Sequence, residues 1–272
     1  MRRGAAALTA AAVAAVLLAA VLVVAVLAGR PAAGGLPVGA PSSTVAAGER
    51  AGGDGASADD SERWAAARAR MVEDQIRARG VTAARVLAAM REVPRHRFVP
   101  ESERGLAYSD QPLPIGWGQT ISQPYIVALM CSLLDLEPGD RVLEIGTGSG
   151  YHAAVLSRLA GEVYSIEIVE PLGRRAGETL AALGYDNVRV RVGDGYEGWP
   201  EHAPFDAVVL TAAPPEVPRP LLEQLAVGGR LVVPVGGAWE QELQVITRTA
   251  DDYRTEHVAP VRFVPMTGKA GG

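Results

Sequence analysis

The segment Val142-Leu143-Glu144-Ile145-Gly146-Thr147-Gly148-Ser149-Gly150-Tyr151 constrains the fold more than any other part of the chain. An apolar strand-like run passes straight into glycines at alternate positions, and a helical pattern follows. Glycine lets a backbone approach a ligand closely, and open α/β sheets bind ligands beyond the carboxyl ends of their strands. The spacing is G-x-G-x-G. The dinucleotide fingerprint G-x-G-x-x-G would need glycine where Tyr151 stands, and no Gly-Lys-Ser/Thr is present to make a Walker A loop. Taken alone, Gly146–Gly150 also reads as a plain turn.

The surroundings decide between those readings. Short β-rich runs at Arg141–Ile145, Glu162–Glu167, Val188–Val192, Ala207–Thr211 and Arg230–Pro234 alternate with helical patterns near Tyr151–Leu159, Pro171–Leu183 and Val217–Leu225. Apolar strands alternating with helices imply a parallel sheet covered on both faces. Two later runs, Glu242–Thr247 and His257–Val264, have no helix between them and read as an antiparallel edge hairpin. Before the sheet, Trp64–Arg79 reads as a helix stopped by Gly80. Thr82 caps a second helix with Val86, Leu87 and Met90 inward, Phe98–Gly118 reads as an ordered loop, and Pro124 opens a helix burying Ile126, Leu129, Met130 and Leu133. The expected class is α/β: a doubly wound, Rossmann-like sheet with an antiparallel edge hairpin and an N-terminal helical addition.

Acidic residues sit at the expected strand ends. Glu167 closes the second strand 21 residues past Gly146, where a carboxylate can accept from both hydroxyls of a ribose. Asp194-Gly195 follows the third strand, where a carboxylate or the neighbouring amide can meet an adenine edge. With Glu144 inside the first strand, these features suit an S-adenosyl-L-methionine loop better than a pyrophosphate cradle.

The amino terminus has a different character. The 26 residues between Arg3 and Arg30 carry no charge, and a membrane-spanning helix needs about 20 apolar residues. That run exceeds the apolar core of a cleavable signal, and Arg2 and Arg3 favour a cytoplasmic amino terminus. Residues 1–30 are therefore expected to be a signal-anchor, with a cleaved signal peptide second. No cysteine near Ala28 offers a lipoprotein anchor. Residues 31–62 hold seven glycines, three prolines and no aromatic, the composition of a flexible tether. Residues 63–272 then form one domain of ordinary size.

Composition excludes several function classes. A net charge of −5 and the lack of a Lys/Arg run remove the electrostatic footprint of a nucleic-acid binder, and no Asn-Pro-Pro-Tyr-like segment of a nucleic-acid methyltransferase is present. One cysteine, Cys131, allows no internal disulfide. With His96, His152, His202 and His257 scattered, no structural zinc site and no metal is expected. Cys131 reads as a core thiol, and His152 as a packing residue rather than a base.

Further strings carry a resemblance: Leu113-Pro114-Ile115-Gly116, Gly118-Gln119-Thr120-Ile121-Ser122-Gln123-Pro124, Gly193-Asp194-Gly195, Thr211-Ala212-Ala213-Pro214 and Arg262-Phe263-Val264-Pro265. With the glycine loop, over about Met71 to Thr267, the chain resembles the protein-L-isoaspartate O-methyltransferases. The Gly118–Pro124 string is the specific part, since all such methyltransferases share the glycine loop. The resemblance implies S-adenosyl-L-methionine-dependent methylation of the carboxyl group of L-isoaspartyl residues in damaged proteins, the first step of repair. It places the active-site hydroxyl on Ser122 and cofactor contacts on Gln119, Thr120, Ile121, Ser122, Gly146, Glu167, Ile168, Asp194, Gly195 and Thr267. Ser122 also suits a helix cap ahead of Pro124. Trp117 receives no role, and Glu240 to Gln244 is expected to start the edge hairpin and line a peptide groove. The partners implied are isoaspartyl proteins and peptides, a membrane through the N-terminal segment, and no nucleic acid; a monomer is the expected state. The family's usual location is the cytoplasm, so the N-terminal run makes a membrane-anchored or exported enzyme the expectation and a cytoplasmic one the alternative. The runner-up activities are methylation of another protein carboxylate or of a small molecule, and a tethered binding module without turnover.

Overall fold

The structure is a computed structural model and describes residues 55–268. The uncharged run of residues 4–29 and most of the tether lie outside the described residues. Among those described, no helix is long and apolar enough to cross a membrane.

Helix α1 (Gly55–Arg70) starts earlier than Trp64, inside the segment read as a tether, and runs into a π-helical turn at Met71–Ile76 and a 3-10 turn at Arg77–Arg79. Helix α2 (Ala84–Glu92) buries Val86, Leu87 and Met90 as the periodicity predicts. Its cap position is Ala83, one residue past Thr82, and no side chain bonds there, so the expected Thr82 cap is not made. The stretch read as a loop up to Gly118 contains strand β1 (Leu113–Gly116), which pairs antiparallel with β2 (Gln119–Ile121). Pro114 and the glycines hide the short alternation of Leu113, Ile115 and Ile121, all of which are buried. Helix α3 (Pro124–Leu134) is apolar nearly all round, so periodicity could not select its inner face. The innermost residues are Val127, Ala128, Met130, Cys131 and Leu134, while Ile126, Leu129 and Leu133 pack around them half-buried.

The main sheet has the strand order β5-β4-β3-β6-β7-β8-β9. β3 (Arg141–Ile145), β4 (Glu162–Glu167) and β5 (Val188–Val192) match the sequence reading, with α4 (Tyr151–Ser157) and α5 (Glu170–Ala182) between them. β6 (Phe205–Leu210) follows, and the expected helix at Val217–Leu225 is cut to α6 (Arg219–Glu223) because Leu225 enters the sheet opposite Phe205. β7 (Leu225–Gly236) is consequently longer than expected. β3 to β7 are parallel, and β7, β8 (Gln241–Arg248) and β9 (Tyr253–Pro260) are antiparallel. β9 is polar and largely exposed, so its apolar signal was displaced onto the next segment. Val261 still donates to the Gln241 carbonyl, and the chain then leaves the sheet so that Val264 to Met266 lie along Ala213 instead.

Side chains alternate across the strands, as the pleat requires. Val142, Val163, Val209 and Val232 pack under α3, α4 and α5; Leu143, Ile166, Val208 and Leu231 face the other way, under α6 and short 3-10 turns. The chain runs from β3 outward to β5 and then returns to β6 on the opposite flank of β3. The crevice beyond β3 and β6 is therefore the topological switch point, where such sheets bind ligands.

Candidate active site

A cleft open to solvent lies at that crevice. The glycine loop forms its floor. Gly146 stands at φ +96°, and a Cβ there would fall 2.3 Å from Thr211 Oγ1, so only glycine fits. The Thr211 hydroxyl donates to the Gly146 carbonyl at 2.6 Å and ties the end of β6 to the loop. Glu167, at the end of β4, is 5% exposed. Its Oε2 accepts from the Gly148 amide at 2.8 Å and its Oε1 from the Val169 amide at 2.9 Å. Each oxygen keeps a lone pair for a further donor. Opposite, Gly195 approaches Ile145 so closely that a Cβ would lie 2.3 Å from Ile145 Cγ2.

Two outer walls complete the cleft. The β1–β2 hairpin contributes Gln119 and Thr120. The segment after β9 contributes Val264 to Thr267, held along the end of β6: Ala213 N donates to Val264 O and Met266 N to Ala213 O, both at 2.8 Å. Gln241 holds the same segment by its amide, accepting from Phe263 N at 2.6 Å and donating to Phe263 O at 3.2 Å.

Beneath the floor is a buried polar chain. The Ser165 hydroxyl bonds Glu144 Oε2 and lies 2.6 Å from Thr147 Oγ1 in the glycine loop. His152 Nε2 meets Cys131 Sγ at 3.3 Å, and His152 Nδ1 is 3.9 Å from Glu144 Oε1. Burial pushes the Glu144 carboxyl up to about 8, against the Ser165 bond, and the nearby Glu167 charge adds to the rise. Burial also lowers His152 to about 4 and raises the Cys131 thiol. At neutral pH, Glu144 is therefore an acid and His152 an uncharged ring. Both are packed under the loop rather than presented to the cleft.

Seven of the ten residues named from the sequence share one cleft: Gln119, Thr120, Gly146, Glu167, Ile168, Gly195 and Thr267. Ile121 points into the core at 4% exposure and does not line it. Asp194 stands at the rim, where its Oδ1 accepts from Tyr196 N at 3.0 Å. Ser122 follows β2, half-buried just outside the lining. Its expected capping role is not taken up, because α3 has Gln123 at the cap position and no side-chain bond there. The lining residues that no site assignment named are chiefly Thr211, Ala212, Val264, Pro265 and Met266. The strings at Thr211–Pro214 and Arg262–Pro265 were the available signal for them.

A family model described as protein-L-isoaspartate(D-aspartate) O-methyltransferase matches residues 66–271. The chain belongs to this family. The protein-L-isoaspartate O-methyltransferase of Gloeobacter violaceus is 60% identical over 198 residues, covering 72% of this chain and 97% of its own length. The second such enzyme of Shewanella sediminis is 58% identical over 212 residues, 78% of this chain and 87% of its own. A solved protein-L-isoaspartate O-methyltransferase superposes with TM-score 0.70 and 32% identity over 75% of this chain and 67% of that one. A Plasmodium falciparum protein of the same description, solved with S-adenosyl-L-homocysteine, gives TM-score 0.65 and 26% identity over 74% of this chain and 98% of that one. The methyl donor of the family is S-adenosyl-L-methionine. The cleft fits that group: a glycine floor without Cβ atoms, a carboxylate with acceptor capacity left, and apolar walls at Ile145, Ile166 and Met266.

Proposed function

We propose that this chain methylates the carboxyl group of L-isoaspartyl residues in damaged polypeptides. The observation that carries the reading is the β1–β2 hairpin, which brings Gln119 and Thr120 of the Gly118–Pro124 string onto the cleft wall and leaves Ser122 two residues further on. Glu167 would accept from the ribose hydroxyls, Asp194 and Gly195 would meet the adenine end, and Gln119, Thr120, Ile168 and Thr267 would enclose the rest. S-adenosyl-L-methionine supplies a methyl already activated on a sulfonium, and a carboxylate is already ionised at neutral pH, so no general base is needed. The chain's own task is alignment and exclusion of water. The Ser122 hydroxyl would orient one carboxylate oxygen without removing a proton. Trp239, Glu240, Glu242 and Gln244 line a second depression at the β7–β8 turn, which would take the flanking peptide.

The test is incubation of an aged, isoaspartate-rich protein with labelled methyl donor. A base-labile methyl ester on the aged protein, absent from an unaged control, is expected. A label that survives base would place the methyl on nitrogen or sulfur and end the carboxylate reading.

We further infer that residues 1–30 carry the domain to the membrane, with the segment between them and helix α1 as its tether. The support is the uncharged 26-residue run behind Arg2 and Arg3. Fractionation with protease accessibility of spheroplasts tests it. A protease-shielded, soluble domain lacking the first thirty residues or so would favour the cytoplasmic alternative.

A further inference from the structure

We propose that Arg175 is a positioning residue that latches the β1–β2 hairpin to α5 and thereby sets the affinity for the methyl donor. The proposal rests on the placement of that donor in the cleft described above. The hairpin forms a two-stranded sheet of its own, with no ladder to the seven-stranded sheet. Strands of four and three residues are too short to stand alone, so its position must come from docking. Part of the docking is apolar: Ile115 is fully buried, and its Cδ1 lies 3.6 Å from where a Cβ of Gly148 would be.

Among the described residues, the polar part comes from one side chain. Arg175 Nη2 donates to the Ile115 carbonyl at 2.6 Å, and the guanidinium carbon sits 5.0 Å from the centre of the Trp117 ring. Trp117 occupies the hairpin turn at φ +51°, followed by Gly118 at φ +72°. Left-handed backbone at a tight hairpin turn favours Asn and Gly and disfavours a large side chain. Trp117 is nevertheless half exposed there, with the Arg175 cation against its face. The planar guanidinium can stack and donate at once, which an ammonium cannot do.

Arg175 belongs to α5, the helix that starts just after Glu167, Ile168 and Val169. It therefore joins the two lips of the cleft, the β4–α5 lip and the Gln119–Thr120 lip. Loosening the latch should cost donor affinity first.

The test uses the purified protein and the variants R175A, R175K and E167Q, with S-adenosyl-L-methionine titrated by calorimetry and in steady-state methyl transfer. R175A is expected to raise both Kd and KM for the donor about tenfold, the scale of one charge-assisted hydrogen bond, with kcat at saturation within about threefold. R175K, which keeps a donor but loses the stack, should fall between. Kd and KM within about twofold of the parent in R175A, or a fall in kcat alone, would overturn the latch. If R175A folds poorly, R175K decides: an unchanged KM overturns the proposal and a raised KM sustains it. E167Q separates the two layers of the argument. Weakened binding in E167Q with none in R175A removes the latch alone, while unchanged binding in E167Q removes the donor from this cleft.

Discussion

Replacing Glu144 by glutamine should change how stability depends on pH, by an amount that follows from the burial of one carboxyl. Glu144 is fully buried under the glycine loop, among Ser165, Thr147, His152 and Cys131, with Glu167 beyond. Its pKa is raised from 4.5 to about 8. The folded protein thus holds a proton that the unfolded chain has released, and stability falls as pH rises between those values. Each pH unit in that window costs about 1.4 kcal/mol, so the loss from about pH 5 to about pH 8 is 3–4 kcal/mol. His152 acts in the opposite direction. Its pKa is lowered to about 4, so its contribution is lost as pH falls from 6.5 towards that value. The E144Q variant keeps the His152 effect and removes the Glu144 effect, so the difference between parent and variant isolates the carboxyl. Urea unfolding across the pH series, compared at equal m-values, measures it. E144Q should gain about 3 kcal/mol on the parent between pH 5 and pH 8. Parallel profiles would show that Glu144 is ionised in the folded protein and refute the reasoning.

The remaining predictions concern the cleft. Ser122→Ala should leave donor affinity within a few-fold by calorimetry and lower kcat, because it disturbs the carboxylate rather than the donor. Asp194→Ala should weaken donor binding in the same titration and lower Tm, since the Tyr196 amide also loses its acceptor, at about 1 kcal/mol. Gly146→Ala should destabilise by about 2 kcal/mol or more in urea unfolding and abolish donor binding, because its Cβ would collide with Thr211 Oγ1 at a positive φ.

The parts of this fold legible in the sequence share one physical property. β3, β4 and β6 are enclosed on both faces, so they read as apolar runs whatever surrounds them. β9 lies at the sheet edge with Arg254, Thr255, Glu256 and His257 exposed, and the sequence reading slid along it to His257–Val264. The hairpin was hidden because Pro114, Gly116 and Gly118 look like breakers, although the two glycines with Trp117 build its turn. In the site, the glycine floor and the strand-end acids were visible because a backbone needs those residue types there. The apolar wall at Val264–Met266 showed only as the string Arg262–Pro265, since the hydrogen bonds to Ala213 and Gln241 that bring the segment across the sheet leave no mark in its periodicity. Trp117 and Arg175 are far apart in the chain, and only the folded hairpin makes them neighbours.

The most direct test of the central claim is methyl transfer to two synthetic peptides of identical sequence, one with an L-isoaspartyl residue and the other with a normal aspartyl residue at the same position. The two carboxylates differ by one carbon in their distance from the backbone, so a site that works by alignment should separate them. The account predicts a measurable kcat/KM for the isoaspartyl peptide and no transfer above background for its twin. Equal labelling of both, or of neither, would contradict it.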